Sequence, residues 1–174
     1  MPKPLRLGRF FDFDDANGEI LIFGKRRVTV DIDGLCAHLE GLVGQRAART
    51  IANNHGRQSG KERVTELRET LKGNPSPPTF GEIIEALTEG EVLAGYGVVK
   101  LRMREDQVVP VELEMRNPIV KAATGTVVTF ILSYWTGAFE ALLNKTLDVT
   151  NVTYDADTDT LKCQFTVIGT PITD

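Results

Sequence analysis

The sequence predicts an α+β domain in which an antiparallel sheet of about four strands packs on helices, with a hairpin near the N-terminus. Apolar residues recur at helical spacing from Leu35 to Ile51. Four later segments alternate apolar and polar residues, and an uncharged stretch from Ala122 to Phe139 separates the first two of them from the last two. Alternating segments are typical of strands with one dry face, which the helices then cover.

The composition is that of an ordinary globular protein, with 174 residues, 41% of them hydrophobic and 25% charged. We expect one domain over residues 1–174, made of an N-terminal hairpin (8–24) and a core (33–168). The formal charge is -4, so nucleic acid binding would need a local basic patch that the total conceals. The sequence shows no such patch, and no nucleic acid partner is expected.

Two apolar runs, Phe10 to Phe13 and Ile20 to Phe23, flank Asn17-Gly18, which predicts a hairpin because its turn needs residues that tolerate positive φ. A third short apolar stretch, Val28 to Ile32, ends at Asp33, which is placed to cap a helix. No apolar stretch long enough for a signal peptide precedes the hairpin, so we expect a cytoplasmic protein.

The helix from Leu35 to Ile51 is long and amphipathic. Its period allows two continuations. The helix runs on through Gly56 and Gly60 towards Leu71, or it breaks at His55-Gly56.

A second helix is predicted from Phe80 to about Leu93, because Thr79 and Glu82 form a capping box after a proline-rich breaker. The next two segments carry a basic row and an acidic row. An odd-length loop such as Glu105-Asp106-Gln107 brings these rows to one face of an antiparallel pair. Lys100 then faces Glu112, or Arg102 faces Glu112 if the loop has five residues.

The uncharged stretch has 18 residues, the lower limit for a membrane span, but its threonines and glycines favour a helix of about 124–144 buried inside the domain. No membrane span is expected. The alternation returns in Leu147 to Tyr154 and in Leu161 to Val167, where Cys163 shares the apolar face with Phe165 and is interpreted as a small buried hydrophobe.

The motifs that carry chemistry are incomplete. Asp155 to Asp159 has the rhythm of a calcium loop, but Thr160 and Thr166 replace its glycine and its glutamate, so a polar hairpin turn is expected. His38 and His55 lack partners at metal-ligand spacing. With no acid/base pair, nucleophile or metal cluster assembled, we expect no enzyme, no metal and no cofactor.

Aromatic residues form a stripe on the uncharged helix, including Phe130, Tyr134, Trp135 and Phe139. Such a stripe belongs to the core in most proteins. Alternatively, part of it lines an apolar cavity between this helix and the helix from Phe80 to Leu93.

Four short segments, in chain order, resemble the vinyl-4-reductase domain family: His55-Gly56-Arg57-Gln58-Ser59-Gly60, Gly95-Tyr96-Gly97, Ser133-Tyr134-Trp135-Thr136-Gly137 and Cys163-Gln164-Phe165. The resemblance covers roughly residues 20 to 168. The family shares its fold with aromatic-sensing domains of bacterial activators and with subunits of the TRAPP vesicle-tethering particle. It implies a four-stranded antiparallel sheet, an apolar pocket, frequent homodimers and one continuous helix through Gly56 and Gly60.

Sensor members of the family bind zinc, and the resemblance places their ligands at Leu132, about Val152, Asp155 and Cys163. One thiol and one carboxylate do not complete a tetrahedral site, so zinc is not expected. An aromatic anchor of the phenol-sensing members corresponds to Ser133, which argues against phenol recognition. The predicted ligand pocket is lined by Phe80, Ile84, Phe130, Ser133 and Tyr134.

We therefore expect a stand-alone, metal-free homodimer that binds a small apolar molecule or an acyl chain without catalysis. The alternative is a dimeric interaction module without a ligand. In that case the contact surface is the apolar hairpin that contains Phe11 and Ile22.

Overall fold

The computed structural model describes residues 11–14, 19–22, 25–27, 31–71, 77–93, 96–104 and 107–169. The described helices are α1 (Ile32–Val43), α2 (Gln45–Leu71), α3 (Phe80–Leu93) and α4 (Thr126–Leu143). The described strands are β1 (Phe11–Asp14), β2 (Glu19–Ile22), β3 (Lys25–Arg27), β4 (Val98–Arg104), β5 (Gln107–Arg116), β6 (Leu147–Asp155) and β7 (Thr160–Val167). The predicted α+β class, with a four-stranded antiparallel sheet packed on helices, is confirmed.

The N-terminal strands form a three-stranded sheet of their own, in the order β1-β2-β3. Phe13 pairs with Ile20 in an antiparallel register, as the predicted hairpin requires, while its Asn17-Gly18 turn lies outside the described residues. The third strand is β3, earlier in the chain than the predicted stretch from Val28 to Ile32. Residues 28–30 of that stretch lie outside the described residues, and Ile32 already belongs to α1.

The first helix differs from its prediction at both ends. Its cap is Asp31 and not Asp33, because Asp31 Oδ1 accepts a hydrogen bond from the amide of Gly34 at 3.1 Å. The helix ends at Val43, and its C-cap Gly44 has a φ of 81°, a conformation that is strained for residues with a Cβ. The predicted unbroken helix from Leu35 to Ile51 is therefore wrong, and two helices meet at Gly44.

Beyond Gly44, α2 is continuous through Gly56 and Gly60, so the break considered at His55 does not occur. The predicted capping box of α3 is confirmed. The amide of Thr79 donates to Glu82 Oε2 at 2.7 Å, and the amide of Glu82 donates to Thr79 Oγ1 at 3.3 Å.

The larger sheet has the order β4-β5-β7-β6, with every pair antiparallel. Arg102 lies opposite Glu112, and Lys100 lies opposite Glu114, so the basic and acidic rows share one face as predicted. The register corresponds to the five-residue loop, but a different feature produces it. The pairing of β4 with β5 shifts between Met103 and Arg104. This irregularity in the strand, and not a five-residue loop, places Arg102 opposite Glu112.

Helix α4 lies at the centre of the core. Its Trp135 and Phe139 are fully buried with ring centroids 5.6 Å apart, and Phe139 meets Phe165 of β7 at 5.0 Å. Among the described helices, α4 alone is long and apolar enough to cross a membrane, and 61% of that segment is buried within the protein.

Candidate functional site

The backbones of α2 and α4 touch at three glycines. A Cβ at Gly60 would lie 2.7 Å from the amide nitrogen of Ala138, and a Cβ at Gly137 would lie 2.7 Å from the carbonyl carbon of Arg57. Gly56 meets the α4 backbone between Phe130 and Tyr134. Gly60 lies one turn after Gly56 on α2, and it meets α4 one turn later, at Tyr134 and Ala138. The two helices therefore run in the same direction. This packing fixes which α4 side chains lie on either side of α2.

Phe130 and Tyr134 line a cavity of about 170 Å³ between α2, α3 and α4. We call it the aromatic cavity, and its lining includes Ser59, Arg63, Gly90, Tyr96, Phe130 and Tyr134. The structure thus brings together two of the five predicted pocket residues, at a place where the sequence suggests a cavity.

Three aromatic side chains dominate the lining of the aromatic cavity, and Ser59, Arg63, Gly90 and Ile131 complete it. Arg63 Nη1 lies 3.4 Å from Glu66 Oε2, an ion pair within α2. Gly90 leaves space at the α3 wall. A Cβ at this position would make only an ordinary contact, 3.7 Å from Arg63 Nη2. Such a lining suits a flat apolar molecule, which rings contact on face and edge.

The other three predicted pocket residues lie elsewhere. Phe80 and Ile84 are half-buried on the first turns of α3, and neither lines the aromatic cavity. Ile84 packs against the hydrophobic core. Ser133 is buried and lines a second cavity. Consecutive residues of a helix point in different directions, so Ser133 and its neighbour Tyr134 face different cavities.

The second cavity measures about 260 Å³ and lies between α2, α4 and β6. We call it the basic groove, and its polar lining includes Arg49, Asn53, Arg57, Thr129, Ser133 and Asp148. Ser133 Oγ donates to Asn53 Oδ1 at 2.6 Å. No sequence motif predicts this site, although Arg49, Asn53 and Arg57 follow one another at intervals of four, the spacing that places residues on one helix face.

The positions that the family resemblance assigns to zinc ligands do not form a cluster of donors. Leu132 and Val152 line the basic groove with apolar side chains. Cys163 is buried, and desolvation raises the pKa of its thiol to about 12, which disfavours the thiolate that zinc needs. Within the described ranges, no group of three or more histidine, cysteine, aspartate or glutamate residues could hold a metal ion.

No protein-family model and no curated protein matches the chain. Among solved structures, the crystal structure of the phenol-responsive sensory domain of the transcription activator PoxR, with phenol, is similar with a TM-score of 0.68. The two sequences are 17% identical, and the match covers 91% of this chain and 85% of that one. A vinyl-4-reductase family protein from Methanocaldococcus jannaschii is similar with a TM-score of 0.46 and 15% identity, over 83% of this chain and 85% of that one. The predicted relationship in fold to aromatic-sensing regulator domains is therefore confirmed.

Proposed function

We propose that the protein is a binding domain for a small, uncharged, single-ring molecule that enters the aromatic cavity. The observation that carries this proposal is a cavity of about 170 Å³ with Tyr96, Phe130 and Tyr134 in its lining. An apolar protein cavity of roughly 150 Å³ is large enough to bind benzene. The fold that the chain shares with a phenol-responsive domain supports the same ligand class.

The size of the cavity favours a single ring over an acyl chain. Pockets for drug-sized ligands occupy roughly 300–1,000 Å³, well above this volume. The lining supplies rings, a serine hydroxyl and an arginine that is paired with Glu66. These groups suit binding, and we propose no catalytic step.

A filled cavity provides the test. Gly90→Leu adds a side chain at the α3 wall, where the glycine leaves room, whereas Gly81→Leu adds the same side chain on an exposed part of α3 outside the cavity. Toluene and phenol are the probes, and isothermal calorimetry measures their binding. We expect the wild type and Gly81→Leu to bind at least one of them. Gly90→Leu should bind at least tenfold more weakly, since the side chain occupies the ligand's volume.

Two outcomes would overturn the proposal. One is a wild-type protein that binds neither probe at saturating concentration. The other is a Gly90→Leu variant that is folded by circular dichroism and binds as well as Gly81→Leu.

A homodimer is the second part of the proposal, and exposed apolar side chains on the first two helices support it. Leu42 is 69% exposed, Leu35 is 53% exposed, and Val43 and Ile51 follow at 45% each. Exposed apolar groups of this kind favour contact with another protein surface. The hairpin side chains around Phe11 and Ile22, the contact expected from the sequence, lie outside the described side chains.

We propose that this helical surface holds two copies together in the cytoplasm, without a membrane span. Sedimentation equilibrium of Leu42→Ser should show a shift from dimer to monomer. Thr65→Ser, an exposed change elsewhere on α2, should remain dimeric. A wild type that is monomeric at micromolar concentration would contradict the dimer. In that case the interaction-module alternative would also lose its support.

A further inference from the structure

The basic groove lies on the other side of α4 from the aromatic cavity and has different chemistry. It also continues outwards, because Arg49, Asn53 and Thr129 line a shallower depression of about 560 Å³ together with Arg46. Three arginines of α2 therefore face one continuous concave surface, although the whole chain carries a formal charge of -4.

Hydrogen-bond donors in the groove remain available to a ligand. Arg49 is exposed, and no hydrogen bond or ion pair holds its guanidinium within the described part of the chain. Asn53 uses its Oδ1 to accept from Ser133 Oγ, and its Nδ2 has no acceptor among the described residues. Arg57, by contrast, is held by the protein itself, because its Nη2 donates to the carbonyl of Leu147 at 2.9 Å and its Nε lies 3.7 Å from Glu140 Oε2.

The positive charge is only partly neutralised by the protein itself. Behind the groove, the buried Glu140 lies 3.1 Å from Lys61 Nζ and 3.7 Å from Arg57 Nε. One carboxylate thus faces two cations, which leaves one positive charge in excess. Asp148 also lines the groove, and its negative charge offsets that excess. Arg46 and Arg49 then leave the surface with a net charge of two positive units.

The floor of the groove is apolar. Val128 and Leu132 of α4 line it from one side, and Val149 and Val152 of β6 line it from the other. A ligand that fits this surface needs an apolar body on the floor and an acceptor group at the α2 wall. Guanidinium groups bind carboxylates strongly because their N–H donors match the two oxygens.

We propose that the basic groove is a second binding site, which takes a small organic anion with a carboxylate on a short apolar body. Arg49 and the amide of Asn53 hold the carboxylate, and the valines and Leu132 hold the body. The site is distinct from the aromatic cavity, so a neutral ring and an organic anion bind to the protein independently.

Benzoate is the probe, and benzamide is its neutral counterpart with the same ring. Calorimetry in low-salt buffer should show benzoate binding at least tenfold tighter than benzamide. Arg49→Gln should weaken benzoate binding about tenfold or more, since one charge-assisted hydrogen-bond donor is lost. Arg68→Gln removes an exposed arginine of the same helix outside the groove and should bind benzoate as the wild type does.

The Gly90→Leu variant separates this site from the aromatic cavity. Benzoate binding that persists in Gly90→Leu and is lost in Arg49→Gln supports the basic groove, whatever toluene and phenol do. Benzoate binding that is lost in Gly90→Leu, or that is unchanged in Arg49→Gln, would overturn the proposal. An equal affinity for benzoate and benzamide would overturn it as well.

Discussion

The backbone carbonyl of Tyr134 occupies the space that a side chain at Gly60 would need. At Gly137 the roles of the two helices are exchanged: the glycine belongs to α4, and the α2 backbone at Arg57 fills the position of its Cβ. These contacts bring two helix backbones within van der Waals distance, and they set the rotation that places Phe130 and Tyr134 in one cavity and Ser133 in another.

Gly60→Ala should therefore destabilise the protein by about 1–3 kcal/mol or more, because the new methyl group forces the helices apart. Urea unfolding followed by circular dichroism measures this loss. Gly41→Ala is the matched control, since a Cβ at Gly41 of α1 would meet no heavy atom within 4 Å. That change should stabilise the protein by about 0.5–1 kcal/mol through helix propensity. A Gly60→Ala variant as stable as the wild type would contradict the packing.

Local sequence patterns predicted much of the fold because local interactions determine those features. The capping box of Thr79 and Glu82 and the period-two strands involve residues close in sequence. The sequence suggests a possible helix break at Gly56, but the break lies at Gly44. The two glycines differ in what surrounds them in the fold, which local sequence does not reveal. Gly56 lies against α4, and Gly44 adopts a positive φ between two helices.

The candidate site was predicted only in part, since it depends on packing between distant segments. Phe130 and Tyr134 are four residues apart, so a shared face follows from helix geometry. Whether Ser133 faces the same cavity depends on the rotation of α4 against α2, which the glycine contacts set. Phe80 and Ile84 were assigned from their helix alone, and the part of α3 that lines the cavity is near its end, at Gly90.

Glu140 is a buried charge that joins three elements. Its Oε1 accepts from the amide of Leu147 at 3.1 Å, while Oε2 lies 3.1 Å from Lys61 Nζ. Glu140→Gln leaves Lys61 and Arg57 without their counter-charge and should reduce the free energy of unfolding by about 1–3 kcal/mol.

Lys61→Met is the comparison for this prediction. The Lys61 side chain is 37% exposed, and Arg57 remains to pair with the carboxylate, so its loss should cost less than about 1 kcal/mol. Urea unfolding of both single variants and the double variant gives the coupling energy between the two residues. Effects that simply add would contradict an interaction between Glu140 and Lys61.

The capping box predicts a pH-dependent contribution to stability. Hydrogen bonds from the amide and the hydroxyl of Thr79 hold the pKa of Glu82 below its ordinary value of 4.5. A carboxyl with a depressed folded-state pKa stabilises the fold above its unfolded pKa, and this contribution is lost as the pH falls through the folded-state value.

Glu82→Gln should therefore be less stable than the wild type at pH 7, and the difference should shrink as the pH falls below about 4.5. Thr79→Ala should cost about 1 kcal/mol at pH 7 through loss of the helix cap. Thermal unfolding from pH 3 to pH 7 measures both. A difference between Glu82→Gln and the wild type that grows towards low pH would contradict the role of the cap.

Cys163 should resist alkylation in the folded protein. Burial raises the pKa of its thiol to about 12, so the reactive thiolate is much rarer than in a free thiol. Burial also raises the pKa of Cys36, which is the more exposed of the two at 7% against 2%. Iodoacetamide at pH 8.5, followed by peptide mass spectrometry, should modify Cys36 before Cys163. Rapid labelling of Cys163 in folded protein would contradict its burial.

Two carboxylates of the turn from Asp155 to Asp159 accept hydrogen bonds from donors in the turn and next to it. Asp155 Oδ1 accepts from the amides of Asp157 and Thr158, and Oδ2 accepts from the Thr158 hydroxyl. Asp159 accepts from the Tyr154 hydroxyl at 2.7 Å and from Lys121 Nζ at 2.6 Å. These bonds hold the pKa of both carboxyls below the ordinary value of 3.8, with the Thr158 side chain the main cause for Asp155 and Lys121 the main cause for Asp159.

A calcium ion in this turn would have to displace donors that already compensate the carboxylates. We therefore expect no calcium binding tighter than about millimolar, the weak end of the calcium range. Calorimetric titration with calcium tests this, and Lys121→Ala is the informative variant because it frees an oxygen of Asp159. That variant should gain affinity for calcium relative to the wild type if Lys121 is what blocks the ion. Stoichiometric micromolar binding to the wild type would contradict the interpretation of the turn as a polar hairpin without a calcium site.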